Sequence, residues 1–390
     1  NFILIKIKSK DKNLEKLNNI VDIFEIEKQK GHSFYGDFLS NSNFRKNLKF
    51  VPTFLSYSPL TIFKLLENNK NIFFKEKIIK FTDIVLIIKS FFFKNIIFNK
   101  NKFLGIDFNS MVKEEMNIDL NFRSILNAYL NFYFFKNLNE KKIRLENVIS
   151  WFENQIVDKG WSLGVNYFFP KTNFIGYQAA TLHPQLFNLS PTKNEFEAKV
   201  LPKKIYLVGK KYLQNRQIFT KKPKYKITKF NRFDFSLKNK KKKYLLFLLS
   251  GIKHCDEYLL NIYKNFIKKY NKKNIFVKFH PILSSNYFEG TYQNEIKGNG
   301  SKIIQNSKFV VTNSYTGGLY ESMANNVHTI LIDYAVLDSL LYKNIRKYSK
   351  CVFLCKNSSE ISKIYESSLK KDKNFFSIKN NKVKKIFFNK

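Results

Sequence analysis

The 390-residue sequence has few cysteines and no long apolar run. Three cysteines, Cys255, Cys351 and Cys355, are too few for a disulfide framework in a chain of this length, which predicts a location in the reducing cytoplasm. The longest apolar region, 81–98, is interrupted by charged residues, so no membrane-spanning helix is predicted. The first residue is not Met and no signal-peptide pattern follows it, which is consistent with a chain that lacks part of its first domain.

Several signatures of ligand sites are also missing. No Asp-x-Asp pair occurs, which argues against the metal-chelating sugar-nucleotide transferases, and there is no Walker loop. The pair Gly298 and Gly300 lacks the third glycine and the preceding strand of a dinucleotide fingerprint. His254, Cys255 and Asp256 are adjacent, so they cannot all bind one ion. We therefore predict neither a metal site nor a bound cofactor.

Arginine and acidic residues are scarce, whereas lysine is abundant. The chain has 69 lysines and arginines against 30 acidic residues, a formal charge of +39. Such a charge normally indicates nucleic acid or an anionic membrane as a partner. Only six of the 69 are arginine, the residue that dedicated nucleic-acid readers favour. Genome-wide drift toward A/T-rich codons explains this pattern, so we expect no nucleic-acid partner. An anionic lipid or a phosphate-bearing substrate stays open as a second cause.

Apolar strands alternate with helical patterns in both halves of the chain. This alternation is typical of parallel α/β sheets with right-handed crossovers, so we predict two Rossmann-like α/β lobes that face a cleft. In the first half the predicted elements are the strands Leu145–Trp151, Asn173–Tyr177 and Lys204–Val208 and the helix Asp158–Phe169. In the second half they are the strands Tyr244–Ser250, Asn274–Phe279, Phe309–Thr312, Thr329–Asp333 and Val352–Cys355 and the helices Asp256–Tyr270, Ser301–Asn306 and Thr316–Asn325.

The lobes are predicted over 1–220 and 244–390. Within the first lobe, 41–142 is rich in Phe, Ile, Leu and Lys at mixed spacing and is predicted to be mainly helical. The stretch 221–243 is polar, weakly periodic and rich in lysine, which indicates a basic linker between the lobes.

Ligands bind parallel sheets beyond the carboxyl ends of the strands, so polar residues at those ends are site candidates. Pro281 stops one strand and holds His280 at its end. An imidazole there can hydrogen-bond a phosphate, act as an acid for a phosphorylated leaving group, or simply cap the loop. Lys278 alternates with His280 on the strand and adds positive charge.

A second candidate is the segment 311–322, which carries hydroxyls and two glycines between a strand and a helix. Backbone N–H groups and the positive helix end point outward there, which indicates an anion site. Glu321, one turn into the helix, is placed to hold a ribose diol. The structural alternative is a Ser or Thr N-cap with glycines for tight packing. The phosphate candidates are Ser314, Thr316, Gly317 and Gly318.

In the first lobe, Glu153 follows a predicted strand and is the candidate catalytic carboxylate, as a base or as a nucleophile. The structural alternative is an acidic residue that complements a helix dipole. Asp37 is a rival for the same role. The candidates on the acceptor side are Asp37, Asn154, Gln155, Asp158 and Gln178.

In this order and spacing the motifs resemble the GT-B glycosyltransferases that use CMP-sugars, such as bacterial sialyltransferases and Kdo transferases, and the bacterial surface carbohydrate biosynthesis proteins. The resemblance rests on 151–160, 175–178, His280-Pro281 and 314–321. It implies that 244–390 binds a nucleotide-sugar donor and that 1–220 is the acceptor side. It further implies phosphate contact or leaving-group protonation by His280, phosphate contacts from Ser314 and Thr316, and a ribose contact from Glu321. The acidic-acidic-Gly motif of sialyltransferases is absent, so the carboxylate, Glu153 here, is not identified by the resemblance.

The resemblance thus implies a cytoplasmic, metal-independent transferase that moves a sugar, from a CMP-sugar, onto a bacterial surface glycan such as O-antigen or capsule. Its partners would be the donor, a lipid-linked glycan acceptor and, peripherally, the anionic inner membrane. Three alternatives stay open: a CDP-glycerol-type glycerophosphotransferase with the same His-Pro geometry, a non-catalytic scaffold, and a basic nucleic-acid-binding protein.

Overall fold

A computed structural model describes most of the chain. The described residues are 17–25, 35, 38–39, 48–54, 71–92, 102–103, 106–107, 109–110, 114, 122–179, 187–229, 244–270, 274–280, 288, 292, 294–334, 336–370 and 381–389. The site candidate Asp37, the residue Pro281 and the part 230–243 of the predicted linker lie outside them.

The first lobe is built on a six-stranded sheet in which every described pair of strands is parallel. The strands are β1 Asn19–Glu25, β2 Leu48–Phe54, β5 Asn147–Trp151, β6 Asn173–Gln178, β7 Lys204–Leu207 and β8 Lys224–Ile227; a separate hairpin has β3 Lys102–Phe103 and β4 Ile106–Asp107. The strand order is β2-β1-β5-β6-β7-β8, so the chain reverses its direction of progress across the sheet between β1 and β5.

Helices cover this sheet. They are α1 Phe81–Phe92, α2 Phe122–Glu140, α3 Ile156–Phe168, α4 Lys193–Glu197 and α5 Lys210–Arg216, with short 3-10 helices at Lys75–Lys77 and Phe187–Leu189. Helices α2 and α3 pack backbone to backbone, because a Cβ on Gly160 would lie 1.9 Å from the carbonyl oxygen of Ala128. Their aromatic side chains, Phe134, Phe135 and Trp161, form a buried core with the strands.

The second lobe has a five-stranded parallel sheet. Its strands are β9 Tyr244–Leu248, β10 Ile275–Lys278, β11 Ser307–Thr312, β12 His328–Ile332 and β13 Val352–Cys355, and their order in the sheet is β10-β9-β11-β12-β13. The helices are α6 Lys253–Lys269, α7 Gly300–Asn306, α8 Gly317–Ala324, α9 Val336–Ile345, α10 Ser358–Lys370 and α11 Asn381–Phe387. Here the strand order reverses between β9 and β11.

One buried hydrophobic cluster is continuous across both lobes. It joins Tyr177 and Leu207 of the first sheet to Tyr320 of α8 and to Phe387 of α11. The ring of Phe387 lies 4.9 Å from that of Tyr320, so the last described helix packs between the lobes. Apolar contacts therefore hold the two sheets together and set how their edges meet.

The prediction of two α/β lobes is confirmed by the two parallel sheets. Two ranges differ in detail from the sequence prediction. The range 41–142, predicted to be mainly helical, holds α1 and α2 and also the strands β2, β3 and β4. The strand β8 lies within 221–243 and pairs with β7, so the first sheet extends into the range predicted as linker. Of the described helices, none is long and apolar enough to cross a membrane.

Candidate functional site

The strand order of the second sheet reverses between β9 and β11, and we call the group of loops at the carboxyl end of the sheet there the crevice. Parallel sheets bind ligands at such a switch point. Three segments meet there: the loop 249–252 after β9, the end of β10 with His280, and the loop 313–316 after β11.

The loop after β9 is held by a buried carboxylate. Asp256, in the first turn of α6, accepts hydrogen bonds from the backbone N–H and the hydroxyl of Ser250, at 2.7 and 2.8 Å, and from the N–H of Gly251 at 2.7 Å. The pKa of Asp256 is raised above its ordinary value, because the effect of burial exceeds the opposing effect of the hydrogen bonds from Ser250 and Gly251. The carboxylate therefore fixes the shape of this loop.

Gly251 lies directly against the ring of His280. Its φ is +89°, a left-handed conformation that favours glycine, and a Cβ there would lie 2.7 Å from Nδ1 of His280. The half-buried imidazole thus packs on the loop after the neighbouring strand. Both the left-handed backbone and the short distance to the imidazole ring therefore require a glycine at this position.

The loop after β11 is joined to the same place. The side chain of Asn313 donates to the hydroxyl of Ser250 at 3.0 Å and accepts from the N–H of Tyr315 at 3.0 Å. The buried carboxylate of Asp338 accepts from the N–H of Ser314, at 3.3 Å, and from the N–H of Tyr334, at 3.2 Å. Two buried acids, Asp256 of α6 and Asp338 of α9, therefore organise the crevice.

Helix α8 begins at this crevice. The hydroxyl of Thr316 accepts from the N–H of Gly318 at 3.2 Å, so Thr316 is the N-cap. A Cβ on Gly318 would lie 2.2 Å from Cδ2 of Leu248, which means that the helix start rests on the end of β9. The side chains of Ser314 and Glu321 are buried, whereas Gly317 is half-buried. The positive end of α8 thus faces the crevice.

Lys278 points elsewhere along β10. The nearest heavy atom to a Cβ built on Gly300, at the start of α7, is Cε of Lys278 at 3.5 Å. Burial lowers the pKa of the Lys278 amine and Glu295 partly opposes this. Its charge therefore lies beside α7, on the flank of the crevice.

In the first lobe, Glu153 lies just beyond the carboxyl end of β5. Its two carboxylate oxygens accept from Nε1 of Trp151, at 2.8 Å, and from Nε2 of Gln155, at 2.9 Å. The carboxylate is half-buried and its orientation is set by these two donors. A base or nucleophile needs such a fixed orientation.

The other acceptor-side candidates make local contacts. Asp158 is buried and accepts from the N–H groups of Glu153, at 2.9 Å, and Gln155, at 3.0 Å, in the capping box of α3; burial raises its pKa to about 8. Asn154 contacts the ion pair of Lys159 and Glu195.

Gln178 lies at the end of β6, also at the carboxyl edge of the first sheet. It is buried, its side-chain nitrogen donates to the carbonyl of Leu189 at 3.0 Å, and its oxygen accepts from Nε of Arg216 at 2.9 Å. Burial lowers the pKa of the Arg216 guanidinium to about 10. These contacts tie β6 to the end of α5.

A buried charged cluster beside the first sheet escaped the sequence analysis. Asp22 of β1 is buried and accepts from the hydroxyl of Thr53 at 3.2 Å, and burial raises its pKa to about 7. The fully buried Lys75 donates to Asn131 of α2 at 2.9 Å, and burial lowers its pKa. The available signal was a lone Asp within the apolar run Ile20–Phe24. Asp22 lies in mid-strand, behind the carboxyl edge.

The structure thus brings together His280 and the segment 314–318 around Ser250 and Gly251. It places Glu153, Asn154 and Gln155 together at the edge of the other sheet. Chemically, the first group presents a helix N-terminus and an imidazole, which suit an anion. Sequence reasoning missed Gly251 and Asp256 as parts of this group. Within the described part of the chain no group of three or more His, Cys, Asp or Glu side chains is arranged to hold a metal ion.

Comparison with known proteins identifies the fold. No protein-family model matches the sequence. No curated protein matches it either. Among solved structures, UGT89C1 of Arabidopsis thaliana complexed with quercetin matches with a TM-score of 0.52, 8% identity and coverage of 91% of this chain and 90% of that one. A protein described as a UDP-N-acetylglucosamine 2-epimerase from Listeria monocytogenes matches with a TM-score of 0.50, 10% identity and coverage of 93% and 91%.

The wall teichoic acid polymerase TagF is a third match, with a TM-score of 0.50, 12% identity and coverage of 99% of this chain and 87% of that one. Together with the two parallel sheets, these matches show that the chain has the two-lobed GT-B fold. At these identities the likeness is one of fold alone.

Proposed function

We propose that this GT-B chain is a nucleotide-sugar-dependent glycosyltransferase whose donor binds at the carboxyl end of the second sheet. The observation that carries the proposal is the meeting of His280, the Gly251 loop and the start of α8 at the strand-order reversal. A nucleoside diphosphate or monophosphate is an anion that such a helix start and imidazole would stabilise.

In this proposal each group has a distinct task. The imidazole of His280 donates a hydrogen bond to the phosphate that leaves the sugar, or passes it a proton. Gly251 leaves room for this ring, and Asp256 keeps the loop in shape. The backbone N–H of Gly317 and the hydroxyls of Ser314 and Thr316 contact phosphate, since the N–H of Ser314 is bonded to Asp338. Lys278 adds charge from the flank.

Two carboxylates complete the proposed site. Glu321 holds the ribose diol; its burial in the structure means that this contact requires the carboxylate to become accessible at the crevice. Glu153, oriented by Trp151 and Gln155, acts on the acceptor side as base or nucleophile. Gln178, Asn154 and Asp158 support that edge through the contacts described above.

The proposed donor is a CMP-sugar and the proposed acceptor a lipid-linked glycan such as O-antigen or capsule. These assignments rest on the motif resemblance around His280 and 314–321. The chain's charge of +39 favours peripheral contact with an anionic membrane, where a lipid-linked acceptor lies. The reaction is proposed to need no metal, because the chain has no Asp-x-Asp pair and the helix start and imidazole can stabilise the leaving group.

A second candidate is transfer of glycerol phosphate from a CDP-linked donor. The fold likeness to TagF, which covers 99% of this chain, favours testing it. The same site would hold the nucleotide. The two candidates differ in the donor and in the bond that breaks: a sugar C–O bond in a CMP-sugar, or the phosphoanhydride P–O bond of CDP-glycerol, with CMP as the leaving group in both.

The test is nucleotide release from a set of donors: CMP-, UDP- and GDP-sugars and CDP-glycerol, with a membrane extract as acceptor source. We expect release from a CMP-sugar, with turnover strongly reduced in His280→Ala and in Glu321→Ala while thermal unfolding shows that both variants stay folded. Release from CDP-glycerol alone would favour the second candidate. Turnover retained by both variants would overturn the site assignment.

A further inference from the structure

Helix α1 exposes apolar side chains along one side. Phe81, Val85 and Ile88 follow the i, i+4, i+7 spacing of a single helical stripe and are 74%, 49% and 45% exposed. Leu86 is 44% exposed too, but it lies about 100° around the helix from Val85 and is not part of this stripe. We call Phe81, Val85 and Ile88 the apolar face of α1. Single exposed apolar residues are ordinary, but three along one helical stripe form a patch that marks an interaction surface.

The other side of α1 is fixed to the protein. Ile87 and Asp83 are buried, and the Asp83 carboxylate accepts from Nδ2 of Asn137 in α2 at 2.6 Å and from the N–H of Lys80 at 2.8 Å. The helix is therefore anchored through α2 with its apolar face turned away. That arrangement presents the patch outward from the lobe.

The charge next to this patch is positive. Lys80 and Lys136 share the one carboxylate of Glu140, at 2.6 and 3.4 Å, which leaves one net positive charge. Lys89 is exposed on α1 itself, and the only acidic residue of the helix, Asp83, is buried. An apolar stripe with lysines beside it complements the surface of an anionic bilayer, which offers both acyl chains and negative headgroups.

We propose that the apolar face of α1 docks on an anionic lipid surface. A second copy of the chain is the less fitting occupant, since two chains of charge +39 repel each other. This proposal names the surface that makes the membrane contact of the proposed function, and it rests on no other part of that function. Its test uses neither donor nor acceptor, so failure of one leaves the other standing.

The first measurement is a site-specific one. The three cysteines of the chain are all buried, so one introduced surface cysteine can be labelled selectively. Val85→Cys carrying a polarity-sensitive fluorophore should show blue-shifted emission with vesicles that contain phosphatidylglycerol, and little shift with phosphatidylcholine alone. Leu340→Cys is the matched control, because Leu340 is 45% exposed on α9 of the other lobe. An equal shift for both labels, or none for Val85→Cys, would overturn the proposal.

The second measurement is vesicle co-sedimentation at several salt concentrations. Phe81→Asp and Ile88→Asp should each weaken binding roughly tenfold or more, since each removes an apolar side chain from lipid. Leu340→Asp should bind like the unsubstituted chain. Binding that all three variants keep would be contact through lysines alone and would refute the proposal.

Sedimentation without lipid tests whether a second copy of the chain, instead of lipid, covers the apolar face of α1. A concentration-dependent dimer that Phe81→Asp abolishes would assign the face to a second copy and overturn lipid docking. Unchanged thermal unfolding of Phe81→Asp ensures that lost binding does not reflect lost fold.

Discussion

Replacement of Gly251 by alanine tests the geometry of the second-lobe crevice. Gly251 has a φ of +89°, and its Cβ would lie 2.7 Å from Nδ1 and 2.9 Å from Cγ of His280. The backbone conformation should cost about 1–3 kcal/mol of stability. The contact has a separate effect, because it displaces the imidazole from its place beside the α8 start. If His280 bonds a nucleotide phosphate, loss of that bond costs about 1.5–3 kcal/mol, or roughly 10- to 150-fold in Kd.

The chain offers a matched control for the backbone effect. Gly298 also has a positive φ, +117°, but an added Cβ there would meet nothing within 4 Å. Gly298→Ala should therefore lower the unfolding temperature and leave nucleotide affinity unchanged, as measured by calorimetric titration. Gly251→Ala should lower both. Undiminished nucleotide affinity in Gly251→Ala, or an equal loss in Gly298→Ala, would refute the reasoning.

Three further predictions concern stability. Asp256→Asn should destabilise the chain by about 2–4 kcal/mol in denaturant titration, because an amide nitrogen would face N–H donors; a change under 0.5 kcal/mol would contradict the loop-anchoring role. The folded state holds the protons of Asp22 and Asp158 more tightly than the unfolded state, so stability should fall as pH rises from about 4 toward 8, by up to about 1.4 kcal/mol per pH unit for each; Asp22→Asn should flatten this profile. Gly209→Ala should cost about 1–3 kcal/mol, since its Cβ would lie 2.4 Å from the carbonyl oxygen of Phe387; unchanged thermal unfolding would show that α11 does not pack there.

The second lobe was predictable because its strands are continuous apolar runs that end in turn residues. The strands at the two ends of the first sheet, β2 and β8, were not. β2 contains Pro52, which argues against a strand, but β2 lies at one end of the described sheet order, where a missing N–H is tolerated. β8 alternates lysine with apolar residues, Lys224–Ile227, and lies at the opposite end of the same order, so its lysines point to solvent.

The functional roles of His280 and of the segment 314–321 stay predictions. Their placement at the same edge of the second sheet was predictable, because each follows a recognised strand. The roles of Asp256 and Asp338 were not, because each acts through hydrogen bonds to the backbone of a loop that local sequence patterns do not connect with it. The contact between Gly251 and His280 likewise joins two strands that only the sheet register brings together.

The central claim is that the second-lobe crevice binds a nucleotide. The most direct test is thermal unfolding of the purified chain with CMP, CDP, UDP, GDP and ADP, each with EDTA and with magnesium. A ligand that binds only the folded state stabilises it by about 2.7 kcal/mol at one hundred times its Kd. We predict stabilisation by CMP that persists in EDTA and is lost in His280→Ala. The absence of stabilisation by any of the five nucleotides would contradict the claim.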